Sequence, residues 1–250
     1  MEDALFFRKR IQELASVAYQ RDIVTFTDFL NLNELHMIKT LNSKELGVIA
    51  EAFGGYEHAE RQLVAFHPDA LSYQWEFPIV CIKVEPKSVR FSEALNHRDF
   101  LGALLNLGVE RSTIGDILVE DGKAWFFCLE RMADFFLENL TRVKHTFVTL
   151  ELVADKEDFP KPRLEEMTGT CSSVRLDAMI ALAFRQSRSS MTGLIESGNV
   201  YVNGRQIVSN GHSLKEGDIV SVRGKGRFCY GGIVNQTKKG KYSVKLYRYV

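Results

Sequence analysis

Between Phe77 and Val153 the apolar pattern switches from a period of two to about 3.6 and back, twice over, and that order admits few folds. Phe77 to Val84 is a short apolar run rich in β-formers. From His97 to Leu107 the spacing is helical. Phe100, Leu101, Leu104 and Leu105 form one stripe, and Gly108 is placed to end the helix in a left-handed conformation. Asp116 to Val119 and Ala124 to Leu129 flank Asp121-Gly122, the pair that a two-residue hairpin turn demands because both central residues take positive φ. Arg131 to Leu140 is a second helix and Phe147 to Val153 a last strand. The order β-α-β-β-α-β is the split βαβ arrangement of ferredoxin-like domains, a scaffold that hosts many functions.

The flanking segments follow different rules. In residues 1–75 a helix is predicted from the recurrence of Ala4, Phe7, Ile11, Leu14, Ala15 and Ala18. A short helix over Asn33–Leu41 follows, with Leu35 and Ile38 on one face. Two strands, Val48–Phe53 and Arg61–Phe66, are joined through Gly54-Gly55. This is a small α/β unit. Residues 156–171 hold Pro160, Pro162, Gly169 and several charges, and read as a linker between a middle domain at 76–155 and a third domain at 172–250. In that domain Ser172 or Ser173 is expected to cap a helix carrying Leu176, Met179, Ile180, Ala183 and Phe184. Ser187 is expected to cap a second helix carrying Met191, Leu194 and Ile195, stopped at Gly198. Val200 and Val202 then alternate into Asn203-Gly204, the strongest short hairpin signal. Further strands follow at Ile219–Val222 and from Phe228 onward, turning at Lys238-Lys239-Gly240. The fold class is therefore α+β.

Charge separates these regions. The chain is neutral overall, with 32 basic and 32 acidic residues, yet residues 172–250 hold 13 Lys and Arg against 4 Asp and Glu. A basic module on an acidic body points to nucleic acid. No apolar run approaches the roughly 20 residues that span a bilayer, so no membrane association is expected. The first residues lack the apolar core of a secretory signal. Cys81, Cys128, Cys171 and Cys229 are scattered without a C-x-x-C pair, so neither a metal site nor a disulfide framework is indicated. Free thiols in a reducing cytoplasm are the expectation, with no cofactor.

Arg175-Leu176-Asp177, Ser187-Arg188-Ser189, Leu194-Ile195-x-x-Gly198-x-Val200-x-Val202-Asn203-Gly204 and Leu214-x-x-Gly217-Asp218 together resemble the S4 RNA-binding domain, over residues 172–226. Two helix N-termini present backbone N–H groups to anions. Arg175, Arg185, Ser187, Arg188, Ser189, Arg205, Lys215, Arg223, Lys225 and Arg227 are the candidate RNA contacts, joined by Lys238 and Lys239 at the last turn. Recognition of structured RNA by shape and phosphate is expected rather than base-by-base readout. Asp177 is expected to be a helix-side partner for a basic residue, and Asn203 and Gly204 to form the turn. The aromatics of the last segment (Phe228, Tyr230, Tyr242, Tyr247, Tyr249) read first as the core of a small sheet and second as surfaces for stacking on bases.

The body resembles a particular family of S4 proteins. Leu95 to Ile117, including His97-Arg98-Asp99-Phe100-Leu101 and Glu110-Arg111-Ser112-Thr113-Ile114-Gly115-Asp116, together with Gly54-Gly55-Tyr56 and Glu60-Arg61, is similar to the bacterial YlmH family across essentially the whole chain. That resemblance implies three parts: a small N-terminal domain, a ferredoxin-like middle and a C-terminal S4 domain. It also implies binding to the large ribosomal subunit, through rRNA and beside the peptidyl-tRNA, in ribosome-associated quality control of stalled nascent chains. Arg98 and Arg111 are candidates for tRNA or partner contact, and Asp99 and Asp116 for pairing with them. Nothing in the sequence suggests an obligate oligomer, and a monomer is expected.

Enzyme readings are weaker. His97-Arg98-Asp99 resembles a kinase catalytic loop, but Leu104 stands where that loop needs Asn and no Asp-Phe-Gly follows. The alternative to a binding factor is an S4-domain RNA-modifying enzyme, of pseudouridine synthase or methyltransferase type, with an unrecognised active site in residues 1–155. Arg175-Leu176-Asp177 resembles the catalytic triplet of pseudouridine synthases, yet Ala178-Met179-Ile180-Ala181 continue an apolar helix face. The glycine-rich cofactor loop of an S4 methyltransferase is missing, and the six histidines have no metal spacing. A non-catalytic RNA-binding protein is the favoured reading.

Overall fold

The structure, a computed structural model, describes residues 2–41, 47–57, 59–71, 73–88, 93–155, 158–159, 163–238 and 240–249. It divides into two units, Met1–Lys161 and Pro162–Val250.

In the first unit, α1 (Glu2–Arg21) buries Ile11, Ala15 and Ala18, one residue per helical turn on a single face. Strand β1 (Thr25–Phe26), two residues the sequence pattern does not reveal, precedes α2 (Leu32–Thr40). Asn31 opens α2 with a capping box: its side chain accepts from the N–H groups of Asn33 and Glu34, and Glu34 accepts from the Asn31 N–H at 2.7 Å. β2 (Ile49–Phe53) and β3 (Leu63–His67) complete an antiparallel sheet in the order β1-β3-β2. Every residue of the central strand β3 is buried, because both faces of the sheet are covered. Val64 and Phe66 pack under α1 and α2, while Leu63 faces the next layer.

That layer is the ferredoxin-like sheet. β4 (Ile79–Pro86), α3 (His97–Leu105), β5 (Ile114–Glu120), β6 (Lys123–Leu129), α4 (Ala133–Asn139), a two-residue β7 (Arg142–Val143) and β8 (Thr146–Leu152) follow in order. The sheet order is β5-β6-β4-β8-β7, with each neighbouring pair antiparallel. This is the split βαβ arrangement with β7 as an added edge. Asp121 (φ 50°) and Gly122 (φ 76°) make the expected left-handed turn, and Gly108 (φ 82°) ends the α3 segment. Of the predicted α3 stripe only Phe100 and Leu104 are buried, and Leu105 lies at the surface. Both helices cover one face of the sheet, over Ile82, Phe126 and Cys128. On the other face Ile79, Cys81, Phe127 and Leu129 pack against Phe29, Tyr56, Leu63 and Phe159. The two domains expected at 1–75 and 76–155 thus share one hydrophobic cluster and form one unit.

A polar weld joins the same two layers. The Asp116 carboxylate accepts from the Tyr56 hydroxyl (2.6 Å) and from the N–H groups of Glu60 (2.7 Å) and Arg61 (3.0 Å). Arg61 donates to the carbonyls of Ile114 (3.1 Å) and Phe29 (2.7 Å). Gly55 has φ 101°, and a Cβ there would lie 2.2 Å from the Phe127 ring. Gly55→Ala therefore combines backbone strain with overpacking, and is expected to cost about 3 kcal/mol of stability, read as a lowered urea midpoint with unchanged slope. A midpoint within error of the parent chain would contradict this close approach.

In the second unit, β9 (Leu164–Cys171) precedes α5 (Leu176–Ala183), α6 (Arg188–Glu196), β10 (Val200–Val202), β11 (Arg205–Gln206), β12 (Ile219–Val222), β13 (Gly226–Gln236) and β14 (Tyr242–Tyr249). The sheet order is β11-β10-β12-β13-β14-β9. Half of the expected linker 156–171 is therefore strand. β9 pairs with β14 from Leu164–Tyr249 to Cys171–Tyr242 without a break. Gly169 permits the close pass of Leu182 from α5, since a Cβ there would lie 2.1 Å from it. The last-segment aromatics divide. Phe228 and Tyr230 are core residues with Met179, Ile195 and Leu246, Tyr242 flanks that core, and Tyr247 and Tyr249 are half-buried outside it.

Cys81 and Cys128 are buried and Cys171 and Cys229 half-buried, all as free thiols. Burial pushes the Cys81 thiol up to about 12, so it stays protonated at any ordinary pH. No helix of the described residues is long and apolar enough to cross a membrane.

Candidate nucleic-acid interface

The first helix of the basic unit starts later than the serines suggest. Arg175 is the N-cap of α5, in extended conformation and without a side-chain cap bond. The loop 209–213 does the capping: Leu176 N–H donates to the His212 carbonyl (2.8 Å) and Asp177 N–H to that of Asn210 (3.4 Å). This corrects the expectation of two open anion sites, since the first turn of α5 is already occupied by backbone carbonyls. No sequence rule assigns a Ser-Asn-Gly-His loop this role. Ser187 caps α6 as expected, accepting from Ser190 N–H at 3.2 Å, and lies 3.1 Å from the Ser189 hydroxyl.

Asp177 organises the site. It is 7% exposed. One oxygen accepts from Arg175 Nε (3.2 Å) and the other from Arg188 Nη2 (2.8 Å). Both arginine side chains remain about half exposed, at 44% for Arg175 and 51% for Arg188. Two cations 13 residues apart in sequence are thus held as one pair, with donors left over on each planar fork for an incoming anion. Arg175 also forms an isolated bridge with Ser213, which brings Lys215 to the same end of the sheet.

The Asn203-Gly204 turn (φ 48° and 81°) lies at that end too. Asn203 donates to Asp218 (2.7 Å) and accepts from Ile219 N–H, while Asp218 accepts from Lys215 N–H (2.7 Å). Arg205 and Lys215 are exposed on the two turns thus tied together. Tyr242 pairs with Cys171, so the turn carrying Lys238 also falls near the start of α5. Lys239 lies outside the described residues.

The remaining predicted cations are elsewhere. Arg223 and Lys225 are exposed on the β12–β13 turn, at the far end of β12, roughly 13 Å away. Arg185 follows the C-terminal end of α5, about 12 Å of helix from Arg175. It has φ 50° and donates to Glu165 (3.0 Å), which also accepts from Arg248 (2.5 Å). The sequence does not single out Glu165, because Pro160, Pro162 and the charges around them give its segment the look of a linker. Arg227 lies on the opposite face of the sheet from the helices, with its guanidinium carbon 4.3 Å from the centre of the Tyr249 ring.

In the first unit, Arg98 is exposed on the first turn of α3. Arg111 is not displayed for a partner, because its guanidinium donates to the carbonyls of Ile114 and Gly115. Burial, reinforced by the neighbouring Arg61, pulls its pKa down to about 10. The acids expected to pair with these arginines do otherwise. Asp99 closes a capping box with Asn96 and pairs with Lys144 (2.8 Å), and Asp116 forms the weld to Tyr56. Lys144 and the Asn96 N–H hold the Asp99 carboxyl below the usual carboxylate range. Among the described residues no group of three His, Cys, Asp or Glu side chains is placed to hold a metal.

A short helix pair over an antiparallel sheet, with paired arginines at the helix start and an Asn-Gly hairpin beside them, defines an S4-type RNA-binding module. The S4 domain family matches residues 174–220. The families described as "YlmH, N-terminal" and "Putative RNA-binding domain in YlmH" match residues 6–71 and 73–157. The chain belongs to the YlmH family of S4-domain proteins. It is 29% identical over 253 aligned residues to the ribosome-associated protein quality control protein P2 of Bacillus subtilis, covering 99% of this chain and 96% of that one. The solved structure of the cell division protein ylmH from Streptococcus pneumoniae is similar with a TM-score of 0.52 and 24% identity, over 64% of this chain and 96% of that chain. That likeness concerns the fold.

Proposed function

We propose that this protein binds structured RNA on the large ribosomal subunit, rRNA together with peptidyl-tRNA, and acts without chemistry of its own in quality control of stalled nascent chains. The observation that carries the reading is the Arg175–Asp177–Arg188 arrangement. A nearly buried carboxylate fixes two half-exposed arginines at a turn-rich end of a basic sheet. The relative named a ribosome-associated quality control protein, aligned over almost the whole chain, supports the ribosome as the place of action. Arg205, Lys215 and Lys238 extend the phosphate-binding surface from the same end, and Arg223 and Lys225 from the other. Ser187 and Ser189 offer hydroxyls at the start of α6. Arg98 remains a candidate contact from the first unit, which is acidic in sequence and disfavours indiscriminate binding to RNA by repulsion. The protein would act as a cytoplasmic monomer.

The geometry disfavours Asp177 as the catalytic aspartate of an S4-domain pseudouridine synthase. A pseudouridine synthase needs its aspartate presented to a base, whereas Asp177 is covered and both its oxygens are engaged. Co-sedimentation with separated ribosomal subunits, with and without peptidyl-tRNA over a salt series, tests the proposal. Retention on the large subunit, stronger with tRNA, is the expected result. Binding to free RNA without any retention on subunits would refute the ribosomal assignment. Arg188→Ala is expected to reduce the log–log salt slope by about 0.7–0.9, one phosphate contact. An unchanged slope would take Arg188 out of the interface.

A further inference from the structure

The helix-free face of the C-terminal sheet holds side chains that the Arg175–Arg188 end does not use. Val200, Val202, Val220, Val222, Phe228, Val244 and Leu246 point into the core beneath α5 and α6. Their neighbours along each strand therefore line the other face. Strand register sets Tyr201 opposite Ser221 and Ser221 opposite Arg227. Arg227 stacks on Tyr249, which is opposite Leu164. One step along, Cys229 is opposite Tyr247 and Tyr247 opposite Glu166. The Lys245 ammonium lies 5.9 Å from the Tyr247 ring centre and 3.2 Å from Glu166. Tyr201, Tyr247 and Tyr249 are each half-buried, and the β9 residues on this face, Leu164, Glu166, Thr168 and Thr170, are exposed.

We propose that this face is a platform for unpaired RNA bases, distinct from the surface that takes structured RNA. Aromatic rings on a flat sheet accept any base by stacking, and adjacent cations hold the phosphates between them. Tyr249 is already covered by Arg227, which leaves the rings of Tyr201 on β10 and Tyr247 on β14 to take bases. Lys245 stands beside the Tyr247 ring, and Arg227 lies in the same cross-strand row as Tyr201. A protein partner is the competing occupant of such a face. RNA is favoured because residues 162–250 carry 14 Lys and Arg against 6 Asp and Glu, and because Glu166, the acid in these rows among the described residues, is already met by Lys245. The proposal rests on the RNA-binding reading of this unit, and extends it from phosphate and shape to single-stranded segments.

The test uses the full chain and two labelled probes, a mixed-sequence ten-nucleotide single strand and a ten-base-pair RNA hairpin, followed by fluorescence anisotropy. Tyr201→Val/Tyr247→Val keeps β-forming side chains at both positions but removes the rings. It is expected to weaken single-strand binding about tenfold or more, on the scale of base–aromatic stacking, and to change hairpin binding by less than about twofold. Tyr201→Phe/Tyr247→Phe should restore most of the loss. Unchanged single-strand affinity in the valine variant overturns the platform and leaves the face to a protein partner. Equal loss for both probes also overturns it, because the two surfaces are then not separable. If the parent chain binds neither probe, the failure is that of the RNA-binding reading itself, a result distinguishable from the other two.

Discussion

A C-terminal fragment beginning at Ser172 will not hold its native fold, whereas one beginning at Pro162 will melt cooperatively. The difference is β9. Its eight residues pair with β14 from Leu164–Tyr249 to Cys171–Tyr242, and Met167 and Cys171 pack against the core of the unit. Each backbone hydrogen bond contributes about 0.5–1.5 kcal/mol net, so a ladder of about eight such bonds is worth roughly 4–12 kcal/mol. A domain of this size has a total stability of about 5–13 kcal/mol, and losing the strand removes most of it. The loss also strips Arg185 and Arg248 of Glu165 and turns β14 into an open edge prone to aggregation. Thermal circular dichroism of the two fragments decides the matter. Melting of the shorter one within a few degrees of the longer would show that β9 is an appendage.

That strand also shows what the sequence hides. Leu-Glu-Glu-Met-Thr-Gly-Thr-Cys alternates, but weakly: its inward positions include a glycine, and the two prolines and charges before it imitate a linker. The strand is stable because β14 is there to receive it, which is a non-local fact. Turns were legible because their chemistry is local. Asp121-Gly122 and Asn203-Gly204 take positive φ at both positions, which few other pairs tolerate. Arginines fall between these cases. From sequence alone, Arg111 and Arg188 were equal candidates for an outside partner. Packing makes them opposites, since Arg111 donates into the carbonyls at the start of β5 while Arg188 is held half-exposed by Asp177. The Gly-Gly-Tyr motif, read as a family mark, is a steric and hydrogen-bonding seam between two layers, with Gly55 against Phe127 and Tyr56 on Asp116.

Replacing both paired arginines by glutamine will lower affinity for structured RNA about 40-fold at 0.1 M salt and reduce the log–log salt slope by roughly 1.4–1.8. Each phosphate neutralised contributes about 0.7–0.9 to the slope, and extrapolation from 1 M to 0.1 M turns two such contacts into about 1.6 decades of binding constant. Glutamine is chosen over alanine because of Asp177. Truncating both partners would strand a 7%-exposed carboxylate, and the cost of an unpaired buried charge, about 3–5 kcal/mol, would confuse lost binding with lost folding. A glutamine amide still donates to that carboxylate while carrying no charge. The expected signature is thus a reduced slope with a melting temperature close to that of the parent chain. Weaker binding with an unchanged slope would mean that Arg175 and Arg188 act through shape alone. Unchanged affinity would move the phosphate-binding surface to the Arg223–Lys225 end of the sheet, where the same substitution strategy would then apply.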